Sequence, residues 1–149
     1  MATWAEFESA EPELAARARR LLSPGDDGRA MLATVRAAGA PRIHPISVAI
    51  VDGELLAFIL PSAKLTDLET DGRYALHAQY DPRHPNELML RGRVREVTDA
   101  NLRAMAIGSW AFEPDDTYRL FAFDIESVLA GKRDSPSDWP PMYQRWNAV

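Results

Sequence analysis

Apolar residues recur at Leu14, Ala18, Leu21 and Leu22, with Arg17, Arg19 and Arg20 on the intervening faces. That spacing is helical. Pro12 suits the first turn, where a missing N–H costs nothing. Ahead of it, Thr3 and Glu6 have the spacing of a capping box, which predicts a short first helix. Residues 1–22 therefore read as a helical N-terminal segment, ended by a loop at Ser23-Pro24-Gly25-Asp26-Asp27-Gly28. From Met31 onward the period shortens to that of strands. Met31 to Arg36 is the first, Ala38-Gly39-Ala40 a turn, and Arg42 to Val51 a long second strand. Asp52-Gly53 is a strong hairpin signal. Glu54 to Leu60, the third strand, is apolar almost without a break, which predicts burial on both faces.

Pro61 stops that strand. Ser62 is placed to cap a short helix from Ala63 to Thr70, with Leu65 and Leu68 inward. Asp71-Gly72 closes it, because glycine fits the left-handed position after a last turn. Strands follow at Tyr74 to Gln79 and at Glu87 to Val97, with a loop at 81–86 between them and Gly92 as a bulge candidate. Thr98 or Asp99 caps a helix through Leu102, Met105 and Ala106. The sixth strand, Tyr118 to Ile125, alternates Leu120, Ala122 and Asp124 against Phe121, Phe123 and Ile125. Residues 131–149 read as a polar, Pro-rich tail carrying Trp139 and Trp146.

About six antiparallel strands, mostly joined by hairpins and with short helices between, make a mostly β fold. They favour an antiparallel β-barrel over a doubly wound sheet, which needs a helix after nearly every strand. The 149 residues suit a single domain with a sizeable core. A net charge of −5 argues against nucleic acid or an anionic membrane as a partner. The absence of cysteine removes disulfides, thiolate metal sites and thiol catalysis, and suits a reducing cytoplasm. No apolar run is long enough to span a membrane. Met1 to Glu6 is acidic and lacks an apolar segment, so no signal peptide is expected.

Candidate chemistry gathers around the second and third strands. Arg42 and His44 share one strand face, which Ile46, Val48 and Ile50 continue inward. Two polar groups at the mouth of an apolar face can receive the charged end of a ligand. Ser62 and Lys64 stand where a buried strand gives way to a helix N-terminus, whose free N–H groups attract anions. A phosphate is the natural guest. Position alone leaves open that Ser62 only caps and that Lys64 only faces water.

Three stretches taken together resemble the pyridoxamine 5′-phosphate oxidase-like family of flavin-binding split barrels. They are Pro41-Arg42-Ile43-His44-Pro45-Ile46-Ser47, the Asp52-Gly53 hairpin with Ser62 to Leu76 after it, and Leu88 to Val94. The resemblance implies a split β-barrel of the type that binds flavin mononucleotide (FMN), assembled as a homodimer with the flavin at the subunit interface. It implies that Arg42 contacts the phosphate or ribityl chain, that Ser62 and Lys64 bind the phosphate, and that Phe58 and Ile59 line the isoalloxazine ring. Ser47 occupies a further polar position, but in a regular strand it lies opposite Arg42, so a bulge near Pro45 would be needed to bring both to one ligand. Glu87 falls where the family places a flavin contact from the second subunit. His44 is a candidate hydrogen-bond donor to flavin or substrate, with a structural strand histidine as the alternative.

Two departures stand out. Ala63 and Thr66 occupy positions where many members carry a second basic residue. The tail around Trp139 to Trp146 does not match the basic motif that grips pyridoxal substrates, so oxidation of pyridoxamine phosphate is not expected. The resemblance implies a flavin-dependent oxidoreductase acting on a small molecule, with the redox chemistry supplied by the cofactor and no catalytic side chain assigned. The alternatives are a non-catalytic flavin- or ligand-binding module, and a reductase using 8-hydroxy-5-deazaflavin, which the same fold also binds. Trp139, with Tyr143 and Trp146, is a candidate to fold over the partner's flavin site, or to pack on its own barrel.

No histidine pair has metal-ligand spacing, so no metal is expected. His77 reads as structural and His84 as a loop residue. Asp115 and Asp116 read as solvated. Serine-hydrolase, P-loop and dinucleotide-binding motifs do not occur.

Overall fold

The computed structural model describes residues 1–23 and 29–149. The expected loop at 24–28 lies outside the described residues. The N-terminal segment forms α1 (Trp4–Ala10) and α2 (Pro12–Leu22). Thr3 and Glu6 close the capping box, and Pro12 opens α2. Eight strands follow, more than the six expected: β1 (Arg29–Val35), β2 (Pro41–Ser47), β3 (Ala49–Val51), β4 (Glu54–Ile59), β5 (Arg73–Ala78), β6 (Glu87–Glu96), β7 (Arg119–Lys132) and β8 (Met142–Asn147). Two helices interrupt them, α3 (Ala63–Thr70) and α4 (Ala100–Ala106).

Every strand pairing is antiparallel, in the order β2-β1-β5-β6-β7-β4-β3, with β8 added on β7. This is the curled sheet of a split barrel. The expected long second strand is in fact two. It breaks at Val48, and its halves end up at opposite ends of the strand order. Asp52 and Gly53 both have positive φ, 50° and 76°, which is the type I′ turn that matches strand twist.

The buried strand face and helix stripes form one main core, including Leu32, Leu55, Leu76, Leu90 and Phe123. A second, smaller core lies on the other side of β4 and β7, where Leu56, Phe58, Leu120 and Ala122 pack against Ala106 and Trp110. The unbroken apolar run of β4 is thereby explained. Leu55, Ala57 and Ile59 serve one core, and Leu56 and Phe58 the other. Opposite β7, the register of β6 shifts between Arg91 and Gly92. A Cβ on Gly92 would stand 1.9 Å from the Asp124 carbonyl oxygen, so only glycine fits the bulge.

The C-terminal stretch is not a loose tail. Met142–Asn147 pairs with Lys132–Ser127 of β7, and the Trp146 ring lies 4.9 Å from that of Phe7. Trp146 therefore packs on its own barrel. No helix among the described residues is long and apolar enough to cross a membrane.

Candidate functional site

Where β2 breaks from β3, a groove of about 520 Å³ opens between the end of β2, the start of β1 and the end of β4. That lies within the range of roughly 300–1,000 Å³ typical of small-molecule sites. Pro61 ends β4 at its rim. Ser62 then caps α3, its Oγ accepting from the Leu65 N–H at 3.3 Å and donating to the Leu60 carbonyl at 2.9 Å. One turn of chain therefore turns a buried strand into a helix whose positive end stands at the groove. Lys64, in the first turn, lines the groove, and its Nζ donates to the Pro45 carbonyl at 3.4 Å. Burial lowers the Lys64 pKa, so its charge is held at some cost.

Beside Lys64 lies a polar cluster. Asp67 is one of two buried polar side chains among the described residues, only 5% exposed. Its Oδ2 accepts from Thr34 Oγ1 at 2.8 Å and from Arg42 Nε at 3.0 Å. His44 Nε2 stands 3.3 Å from the same Thr34 hydroxyl. Burial first, then the charges of Lys64 and Arg42, lower the His44 pKa, with Asp67 opposing them. Together these effects favour the neutral imidazole. Arg42 and His44 share a face as expected, but the face turns towards Asp67 and Thr34, and Arg42 does not line the groove.

The far wall is aromatic. Phe112 and Tyr118, on the connection between α4 and β7, line the groove together with Phe58. Trp110, on the same connection, donates its Nε1–H to the Ser47 carbonyl at 3.1 Å and meets Phe58 edge-on at 5.1 Å. Sequence reasoning passed over Trp110 and Phe112 and took Tyr118 only as the start of the sixth strand, which in fact begins at Arg119. Their signal was an aromatic residue every few positions in a short segment that reads neither as helix nor as strand.

The remaining expected residues divide. Ser47 and Phe58 line the groove. Ser47 does so without a bulge, since β1 and β2 pair continuously from Pro41 to Ser47 and the groove wraps around the strand end to take residues from both faces. Ile59 is fully buried in the main core, pointing away from the groove. Its neighbour Phe58 takes the outward face, as strand alternation requires. Glu87 lines a separate cavity of about 230 Å³ with Arg17, Arg20 and Lys132. Trp139 is 74% exposed, with the Arg133 guanidinium 5.5 Å above its ring. Within one chain neither reaches the groove. His77 Nδ1 donates to the Ala78 carbonyl at 2.6 Å, and Asp115 accepts from the Thr117 N–H and hydroxyl, both local contacts. Among the described residues no group of three or more His, Cys, Asp or Glu is placed to hold a metal ion.

The sequence profile described as "Pyridoxamine 5′-phosphate oxidase" matches residues 15–130. The chain belongs to this family. The general stress protein 26 of Bacillus anthracis has the same fold, with a TM-score of 0.61 at 18% identity over 87% of this chain and 97% of that one. A NimC/NimA family protein from Clostridium acetobutylicum is similar at TM-score 0.66 and 14% identity, over 88% and 92% of the two chains. A heme binding protein from Mycobacterium smegmatis is similar at TM-score 0.64 and 14% identity, but this chain spans 55% of its length while 85% of this chain is matched. At such identities the likeness to these structures is one of fold. No curated protein matches in sequence. The family match takes in β1 to β6, α3, α4 and most of β7, so every element that lines the groove falls within it.

Proposed function

We propose that the groove binds FMN and that the protein is a flavin-dependent oxidoreductase acting on a small molecule. The observation that carries this reading is the joining, in one groove, of Lys64 at the N-terminus of α3 with an aromatic wall of Phe58, Phe112 and Tyr118. A cation beside free helix N–H groups suits a phosphate. An apolar wall with aromatic faces suits a planar ring, and the volume suits both together. Lys64 and the Ser62-capped helix end would hold the phosphate, and Ser47 offers a polar contact along the side. Bound there, the flavin supplies the hydride or electron transfer. The protein's own part is to bind, orient and partly desolvate it.

We further propose a homodimer with the groove at the subunit interface. Met31 and Leu60, both on the groove, are 42% and 47% exposed, and the next outward residue on β2, Ile43, is 66% exposed. Apolar surface collected in this way is normally covered by a partner. Glu87 and Trp139 do not reach the groove of their own chain, and in this dimer they would contribute to the partner's. A chain without cysteine suits the reducing cytoplasm, and we locate it there.

The test is the visible spectrum of purified protein before and after loading with excess FMN and desalting. A retained two-band spectrum of oxidised flavin is the expected result. Protein that stays colourless, or that carries a heme spectrum instead, overturns the FMN reading. Light scattering is expected to give about twice the single-chain mass of 16.6 kDa. A monomer overturns the shared site.

A further inference from the structure

Phe112 is a phenylalanine that the fold leaves 40% exposed while holding its surroundings firmly. Trp110 is pinned by its hydrogen bond to the Ser47 carbonyl and is buried against Phe58. At the other end of the same connection, Arg103 Nη2 donates to the Asp115 carbonyl at 3.1 Å, and the Arg103 guanidinium lies 5.0 Å over the Phe58 ring. Between these two anchors the Phe112 ring lies 6.5 Å from Trp110 and 5.5 Å from Tyr118, tilted by 33° to Tyr118. The result is a rank of aromatic rings fixed at both ends. Its middle member, partly exposed, lines the groove that Lys64 also lines.

An exposed ring with no cover in its own chain forgoes the stabilisation its burial would bring. A flat aromatic ligand is the guest that covers it best, because offset stacking adds a quadrupolar attraction between rings that an aliphatic chain lacks. The cation at the other end sets the polarity of the guest, with the anion at α3 and the ring at the α4–β7 connection.

We infer that Phe112, seconded by Tyr118, is the stacking wall for the planar ring of the ligand, so that this connection sets which ring systems the groove accepts. The inference rests on the FMN reading of the groove. It assigns Phe112 a contact with the ring and none with the phosphate, and this is what makes it separable from that reading.

The experiment measures dissociation constants of the full-length protein for FMN and for riboflavin, which has the same ring and no phosphate. Wild type, Phe112→Ala, Phe112→Tyr and Lys64→Ala are compared. Phe112→Ala is expected to weaken both ligands by the same factor, about ten-fold, the size of one lost aromatic contact. Phe112→Tyr keeps the ring and is expected to keep both affinities. Lys64→Ala is expected to weaken FMN and leave riboflavin unchanged. If wild type binds FMN but Phe112→Ala binds both ligands as wild type does, the stacking wall is overturned and the FMN reading stands. If Phe112→Ala loses FMN alone, the residue acts through the phosphate end and the inference is again wrong. If wild type binds neither ligand, the FMN reading falls and takes the inference with it. Phe112 is exposed, so its variants are expected to melt as wild type does, and matching melting curves separate lost contact from lost fold.

Discussion

Two ranks of aromatic rings flank the barrel, and they are used in opposite ways. At one end Trp4, Phe7 and Trp146 meet at centroid distances of 5.4 and 4.9 Å, and Trp4 and Phe7 have no exposed surface at all. At the other, Trp110, Phe112 and Tyr118 make a similar chain of contacts at 6.5 and 5.5 Å, yet Phe112 stays open. The first rank is sealed by elements distant in sequence, α1 and β8, which converge on the same patch of the main core. It is closed so tightly that the Trp4 Nε1–H finds no partner among the described residues. The second rank belongs to one short connection and has only the small core of β4, β7 and α4 behind it. Aromatic residues thus serve stability where two distant segments bring cover, and remain available for a ligand where a single segment presents them.

The contrast can be attacked at both ends. The largest effect is expected from Phe7→Ala, which empties a fully buried site. A loss of about 3–5 kcal/mol in unfolding free energy by denaturant titration is expected, and a loss below about 1 kcal/mol would show that the sealed end is not a stabilising plug. Next is Lys64→Ala at the open end, where the proposed phosphate contact, being charge-assisted, would be worth roughly 1.5–3 kcal/mol. FMN affinity is expected to fall about ten- to a hundred-fold by calorimetric titration, with little change in melting temperature. Asp67→Ala removes the acceptor shared by Thr34 and Arg42 and is expected to cost about 1–3 kcal/mol of stability. Because Arg42 is partly exposed and can be rehydrated, the lower half of that range is expected.

A smaller effect concerns pH. The folded protein holds the His44 pKa below its ordinary 6.5, mainly by burial. Below that value the unfolded chain binds the proton more readily than the folded one, so His44 subtracts stability as pH falls through 6.5 and has no effect well above it. Denaturation midpoints measured on either side of pH 6.5 should therefore differ less in His44→Gln than in wild type. Equal differences would remove His44 from the account. Smallest of all is Phe112→Ala, expected to change stability by no more than about 0.5 kcal/mol, as for an exposed position. A loss comparable with that of Phe7→Ala would erase the distinction between the two ranks.

Much of the fold was legible because its punctuation is local. The capping box at Thr3 and Glu6, the Ser62 cap with α3 behind it, the Asp52-Gly53 turn and the Gly92 bulge all depend on residues within a few positions of one another, and all occur as expected. What escaped depends on cover from afar. β8, Met142–Asn147, is exposed along most of its length and becomes a strand only because β7 runs on past Ile125 to Lys132 and offers it an edge. The break at Val48 has no glycine to announce it, and it sends the two halves to opposite ends of the strand order. The site divides in the same way. Ser62 and Lys64 sit where local chemistry put them, whereas the turning of Arg42 towards Asp67 joins positions 25 residues apart. Ile59 was one residue out of phase, since alternation alone does not tell which of two buried faces looks into a groove. Phe112 carried no periodic signal at all, and Tyr118 read only as the first residue of a strand.

The break at Val48 has one more consequence. β2 and β3 are the two ends of the strand order, yet a single residue joins them, so the chain itself ties the two margins of the sheet together. The groove lies along that seam, with Pro45, Ile46 and Ser47 on one side and Phe58 and Leu60 on the other. Whatever fills the groove bridges the seam. Amide protons of β2 and β3 should then slow their exchange with solvent together when the groove is filled, while those of β5 and β6, in the middle of the sheet, report nothing. A ligand in the groove would then join by contact the two margins that the chain joins by a covalent link.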